Sequence, residues 1–105
     1  PNPVEYLLGA LAGCLNVVGH KVAAEMDLEL RNIEVEIEGD LDPRKFMGQS
    51  DEPRAGHQAV EVSLAVETAA DEDQLATWLE TVEERCPVSD NIANATPVAF
   101  AVDRR

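Results

Sequence analysis

Positive charge is what this chain has least of. Eight of its 105 residues are lysine or arginine against 21 aspartates and glutamates, a formal net charge of −13. Such a surface repels phosphate backbones and anionic bilayers, so neither nucleic acid nor membrane is an expected partner. Lysine itself occurs only at Lys21 and Lys45. An acidic, lysine-poor surface fits a protein kept soluble in high salt and equally an ordinary acidic cytoplasmic one. Aromatic residues make up only 4%, so a core must rest on Leu, Val, Ile and Ala. Cysteine is scarce as well. Two thiols in a chain of this length do not make a secreted disulfide framework, and a reducing cytoplasm is the expected compartment. Neither Cys-x-x-Cys nor His-x-x-x-His occurs, and His20 stands six positions from Cys14, outside the ligand spacing of one helix face, so no metal site is expected. No Gly-rich phosphate loop and no Gly-x-Ser-x-Gly elbow is present, and no cofactor is expected. The longest apolar stretch falls short of the roughly 20 residues that span a bilayer. No signal peptide and no internal repeat is visible. The chain opens Pro1-Asn2-Pro3 without methionine, so residues upstream are expected to be missing.

Apolar residues at 45% argue for a folded chain, and the length argues for one domain over residues 1–105. Asn2-Pro3 opens a helix, with Asn as N-cap, Pro at the first helical position and Glu5 in the first turn as a dipole partner. From Val4 to about Ala24 apolar residues occupy every side, which predicts a central helix buried all round. Gly9 and Gly13 share a face and predict close approach of another backbone. Ile33, Val35, Ile37 and Leu41 alternate with acidic residues, as do Val60, Val62, Leu64 and Val66 with their neighbours, predicting two antiparallel strands. Between them, residues 42–57 hold two prolines and two glycines and read as a long loop. Residues 70–85 read as a second helix, with Leu75, Trp78, Leu79 and Val82 forming one apolar stripe. Pro87 breaks it, and Pro97–Val102 reads as a final strand. The expected order is α-β-β-α-β, an α+β unit with two helices packed on an antiparallel sheet.

The two cysteines, 72 positions apart, sit in contrasting settings. Cys14 lies in the apolar run Tyr6–Leu15, and Leu7, Ala10, Leu11, Val17 and Val18 share its helix face. Cys86 closes a charged amphipathic segment directly before Pro87. A sheltered thiol and a thiol at a mobile helix end point to a redox pair, one attacking and one resolving; two unrelated small hydrophobes are the alternative. Apolar surroundings oppose formation of any thiolate, so attack by Cys14 calls for a cation from elsewhere. Arg44 and Arg54 in the long loop are the candidates within the chain. Trp78 reads as core, and Glu34, Glu36 and Glu38 as a solvated strand face.

The motifs Asn2-Pro-Val-Glu-Tyr-Leu-Leu-Gly-Ala-Leu-Ala-Gly-Cys14, Glu38-Gly-Asp-Leu-Asp42, Cys86-Pro-Val-Ser-Asp-Asn91 and Thr96-Pro-Val98 resemble the OsmC/Ohr family, the osmotically inducible and organic-hydroperoxide-resistance proteins. The resemblance spans nearly the whole chain. It implies a thiol peroxidase that reduces organic hydroperoxides in the response to oxidative stress, with Cys14 as peroxidatic and Cys86 as resolving cysteine. It further implies a lipoyl-type dithiol reductant and an intertwined homodimer with sites at the subunit boundary. Two departures stand out. The family's activating arginine lies in strands upstream of the helix, a region this sequence lacks, and Val4 follows Asn-Pro where the peroxidases often carry glutamate. These favour a divergent OsmC-like branch, for which the alternative function is a non-enzymatic dimer binding a small apolar ligand. A sheet without those strands is expected to expose an edge.

Overall fold

The computed structural model describes residues 1–105 as five elements: α1 (Pro3–Glu25), β1 (Leu30–Leu41), β2 (His57–Thr68), α2 (Glu72–Arg85) and α3 (Pro87–Ala93). The fold class is the mixed α+β arrangement that the sequence pattern implies. α1 starts where its capping residues place it. Asn2 Oδ1 accepts the Glu5 N–H at 2.8 Å, and Glu5 Oε1 accepts the Asn2 N–H at 3.1 Å, a reciprocal box that satisfies two otherwise free donors. Glu5 is thereby a structural residue of the first turn. At the other end Asp27 takes a left-handed backbone with φ of 55°. The Leu28 N–H then reaches the Ala23 carbonyl at 2.8 Å and the Asp27 N–H the Ala24 carbonyl at 3.2 Å, which closes the helix and turns the chain toward β1.

β1 and β2 pair antiparallel with Ile33 opposite Val66, Val35 opposite Leu64 and Ile37 opposite Val62. Side chains alternate across a pleated strand, so these pairs share one face and turn toward the helices. Glu34, Glu36 and Glu38 occupy the solvated face, as their alternation predicts. α1 crosses the sheet closely at Gly19. A Cβ placed there would stand 2.8 Å from Ile33 Cδ1 and 3.1 Å from Trp78 Cζ2, so glycine is what lets strand and tryptophan close on the helix.

α2 begins with its own capping box between Asp71 and Gln74. Trp78 and Val82 carry its buried face, and Trp78 Nε1 donates to the Gly19 carbonyl at 2.8 Å. Leu75 packs against the core as expected, but Leu79, expected on the same stripe, is exposed, so the stripe is narrower than its spacing implied. Arg85 reaches from the end of α2 to Glu25 at the end of α1 through two parallel bonds of 2.8 and 3.0 Å. The hydrogen bond from Arg85 holds the Glu25 carboxyl below its usual range and keeps the guanidinium charged.

Four expectations are corrected. Pro97–Val102 forms no strand; it runs extended with Phe100 and Val102 almost wholly exposed, since no strand of this chain lies beside it to complete its hydrogen bonds. The chain instead makes α3 directly after Pro87, giving the order α-β-β-α-α. Neither is α1 buried all round. Leu11, Leu15, Gly19, Val22 and Ala23 are covered, whereas Tyr6, Leu7 and Val17 face outward. Gly9 and Gly13 have no neighbour within 4 Å of the space a Cβ would fill, so the approach they predict is not made inside one chain. The last correction concerns length: α1, with 23 residues, is long and apolar enough by those two measures to cross a bilayer, because polar residues interrupt the apolar run without ending the helix. Only nine residues of the chain are buried. One layer of helices on two strands has little interior to offer.

Candidate active site

The two cysteines meet. Cys14 Sγ and Cys86 Sγ lie 3.1 Å apart as free thiols, with the Cys86 S–H donating to Cys14. Three local features bring them together. Cys14 falls on the face of α1 that carries Leu11, Leu15 and Val18 into the packed cluster. Val82 and Cys86, four residues apart, fall on the face of α2 that meets it. Pro87 denies its predecessor a helical backbone, so Cys86 takes φ −79° and ψ 112° and ends α2 with its side chain turned inward. The same residue then serves as N-cap of α3, with Pro87 at the first helical position and the Ser89 N–H directed at Cys86 Sγ at 3.5 Å.

Their exposures reverse the expected contrast. Cys86, expected to be the mobile thiol, is 0% exposed, and Cys14, expected to be sheltered, is half-buried. A helix end is loose only when nothing packs on it; here α1 and α3 both close over it. Around Cys14, Leu11 and Val18 belong to the packed cluster, but Leu7, Ala10 and Val17 of its helix face are exposed. Burial pushes the Cys86 thiol above the ordinary thiol range; the Ser89 N–H opposes that push, and the hydrogen bond donated to Cys14 adds a smaller one in the same direction as burial. The folded chain therefore holds this proton more tightly than the unfolded chain does. The associated stability is complete below the ordinary thiol range and is lost as pH rises through the elevated value. Denaturation midpoints measured from pH 7 upward are expected to fall beyond about pH 8.5 in the parent, and this component of the slope is expected to vanish in Cys86→Ala. Alkylation near neutral pH is expected to reach Cys14 well before Cys86.

Neither cation candidate approaches the sulfurs through a hydrogen bond. Arg44 is engaged by Asp42, with Nη2 and Nε 2.8 and 3.1 Å from Oδ2. This bond lowers the Asp42 carboxyl and raises the guanidinium. Arg54 Nη1 donates to the His57 carbonyl at 3.0 Å and faces a cleft. His20 is exposed and His57 opens β2; no group of three or more His, Cys, Asp or Glu side chains gathers to hold a metal.

Two clefts reach residues that flank the pair. The larger, about 640 Å³, is apolar and lies between the inner face of β2 and the helices, bounded by Leu11, Leu15, Val62, Leu64 and Trp78. The smaller, about 500 Å³, is lined by Leu7, Leu11, Arg54, His57, Asn91 and Ile92 among others. Neither lining includes a sulfur. Both include Leu11, one turn before Cys14, and Ser89, whose N–H points at Cys86. The sequence reading missed α3, the capping role of Cys86 and Ser89. The available signal was Pro87, since proline after a capping residue starts a helix as readily as it stops one.

Helices over an antiparallel sheet, with two unlinked cysteines in contact between α1 and the α2–α3 corner, define an α+β protein built around a thiol pair. The family model for OsmC-like protein matches residues 1–101, and the chain belongs to that family. Its fold is similar to that of an OsmC-like protein from Mycoplasma pneumoniae, with a TM-score of 0.77 and 15% sequence identity, covering 88% of this chain. The match extends over 62% of the Mycoplasma chain, so the present sequence spans less than two thirds of that protein's length. No curated protein matches the sequence.

Proposed function

We propose that the protein is a cysteine-based peroxidase that reduces organic hydroperoxides, with Cys14 as the attacking and Cys86 as the resolving residue. The observation that carries this reading is the 3.1 Å contact between an accessible sulfur and a buried one that keeps its proton. A Cys14 thiolate attacks the terminal oxygen of ROOH; the O–O bond breaks, Cys14 becomes a sulfenic acid and ROH leaves with a proton. Cys86 then attacks the sulfenic sulfur, water departs with the Cys86 proton, and the disulfide forms. The two sulfurs have only about 1 Å to travel to reach bonding distance, roughly 2.05 Å. A dithiol such as a lipoyl group reopens the bond by exchange and leaves as its own disulfide. Reducing cytoplasm is the compartment in which that donor is continually regenerated.

Membership of the OsmC-like family supports chemistry of this general type. The exposed face of α1, the unfilled space at Gly9 and Gly13 and the unpaired Pro97–Val102 segment all fit a homodimer in which a second copy covers them. Exposing the reduced protein to cumene hydroperoxide tests the reading. Loss of both free thiols and a Cys14–Cys86 linked peptide in the mass spectrum are expected; two thiols that persist would end it. The second reading, a non-enzymatic carrier of a small apolar molecule, is favoured by one observation, the 640 Å³ cleft lined almost wholly by hydrophobic side chains.

A further inference from the structure

Five carboxylates hold six of the eight basic residues in salt bridges, yet one arginine of the exposed loop before β2 has none. Lys21 and Arg85 pair with Glu25, Arg31 with Glu29, Arg44 with Asp42, Lys45 with Asp51 and Arg105 with Asp103. Arg54 and the terminal Arg104 have no acidic partner. In a chain with 21 acidic residues, the exposed Arg54 instead bonds a backbone carbonyl. Arg54 Nη1 is fixed on the His57 carbonyl at 3.0 Å, and Nη2 lies over Gly56, 3.8 Å from where a Cβ would be. Gln58 Nε2 ties the same turn together by donating to the Arg54 and Gly56 carbonyls at 3.2 and 3.3 Å. The fork is thus positioned before any ligand arrives, and its remaining N–H groups are available to a planar anion.

Arg54 lines the 500 Å³ cleft, and no carboxylate lines that cleft with it. Gln58 and Asn91 add neutral polar groups, while Leu7, Leu11, Val60 and Ile92 supply an apolar wall. That wall leads to Leu11 and Ser89, the neighbours of the two sulfurs. A cavity of this size with one fixed cation and an apolar wall fits an amphiphile. The net negative charge of the protein acts against any anion at long range, but is screened beyond about 8 Å at physiological salt, whereas a direct contact is not.

We infer that Arg54 is a specificity-determining residue: it binds the anionic head, a carboxylate, of a substrate whose alkyl body lies along Leu7 and Leu11 toward Cys14. The inference rests on the peroxidase reading for what happens at the sulfurs, but the binding it describes is separable from that chemistry. The first arm measures binding of decanoate and of 1-decanol to the reduced full chain by calorimetry. Decanoate is expected to bind about 10-fold more tightly than the alcohol, the scale of one charge-assisted pair. The acid-to-alcohol ratio is expected to fall to near one in Arg54→Gln and to recover in part in Arg54→Lys, which keeps the charge and loses the fork. Raised salt is expected to weaken the acid and leave the alcohol unchanged. The second arm compares kcat/KM for a hydroperoxide ending in a carboxylate with that for its methyl ester, and the same ratios are expected to shift through KM. A ratio unchanged by Arg54→Gln, or no detectable binding of decanoate, overturns the inference. If binding follows Arg54 while neither hydroperoxide oxidises the thiols, the anion site stands and the peroxidase reading falls.

Discussion

Cys14→Ser is expected to remove hydroperoxide turnover by a factor on the order of 10³ or more, since the other sulfur, Cys86, is buried and held protonated. Cys86→Ala is expected to behave differently. It leaves Cys14 in place and removes only its partner, so one equivalent of hydroperoxide is still reduced and the reaction halts at the sulfenic acid. Dimedone is expected to trap that species on Cys14, and excess peroxide to drive it on to the sulfinic acid. Stopped reactions analysed by peptide mass spectrometry check both variants. The proposed roles rest on the asymmetry of the pair: the buried thiol donates a hydrogen bond to the half-exposed sulfur and keeps its proton. A sulfenic acid found on Cys86 in Cys14→Ala, at a rate equal to the parent, would reverse that assignment.

The second large effect concerns stability. Trp78→Ala is expected to lower the unfolding free energy by about 3–5 kcal/mol, the range for emptying a large buried aromatic site. For a domain with a total of roughly 5–15 kcal/mol this is a large fraction. The reason is the crowding at Gly19, where the indole ring lies against the helix backbone, Ile33 presses from the sheet, and Nε1 bonds the Gly19 carbonyl. Few other residues carry this core, so little can collapse into the space. Trp78→Phe keeps most of the ring and loses the hydrogen bond, and is expected to cost about 1–2 kcal/mol. Urea titrations followed by circular dichroism separate the two; equal midpoints for Trp78→Ala and the parent would show that the packing at Gly19 is not a foundation of the fold.

The parts of the fold that were legible in the sequence are those whose signals are local. Asn2, Pro3 and Glu5 wrote the start of α1, and the alternation of Ile33, Val35 and Ile37 with glutamates wrote β1 and its outward face. Pairing with β2 followed because both strands carry the same period. Pro97–Val102 has that period too, yet makes no strand. Alternation records which face would be buried, not whether a neighbour exists to bury it. For the same reason the apolar girdle of α1 was read as complete burial, while the chain covers one side. At the site, the identities of Cys14 and Cys86 were legible and their exposures were not. Burial at position 86 depends on how α1 and α3 fold over a corner, which no spacing within α2 encodes. Arg54 was legible as a loop cation, but its bond to the His57 carbonyl was not, because the turn that Gln58 ties is a detail of the folded loop.

The contact between positions 14 and 86 has a consequence for the whole chain, not only for the chemistry at its centre. A covalent link there would clasp a span of 72 residues, from the middle of the first helix to the end of the second, which in the loop-entropy model restricts the unfolded ensemble by about 4 kcal/mol. Each turnover would then swing the molecule between a clasped and an unclasped form. For a protein with so thin an interior, resistance to unfolding becomes a readout of how much oxidant it has just met.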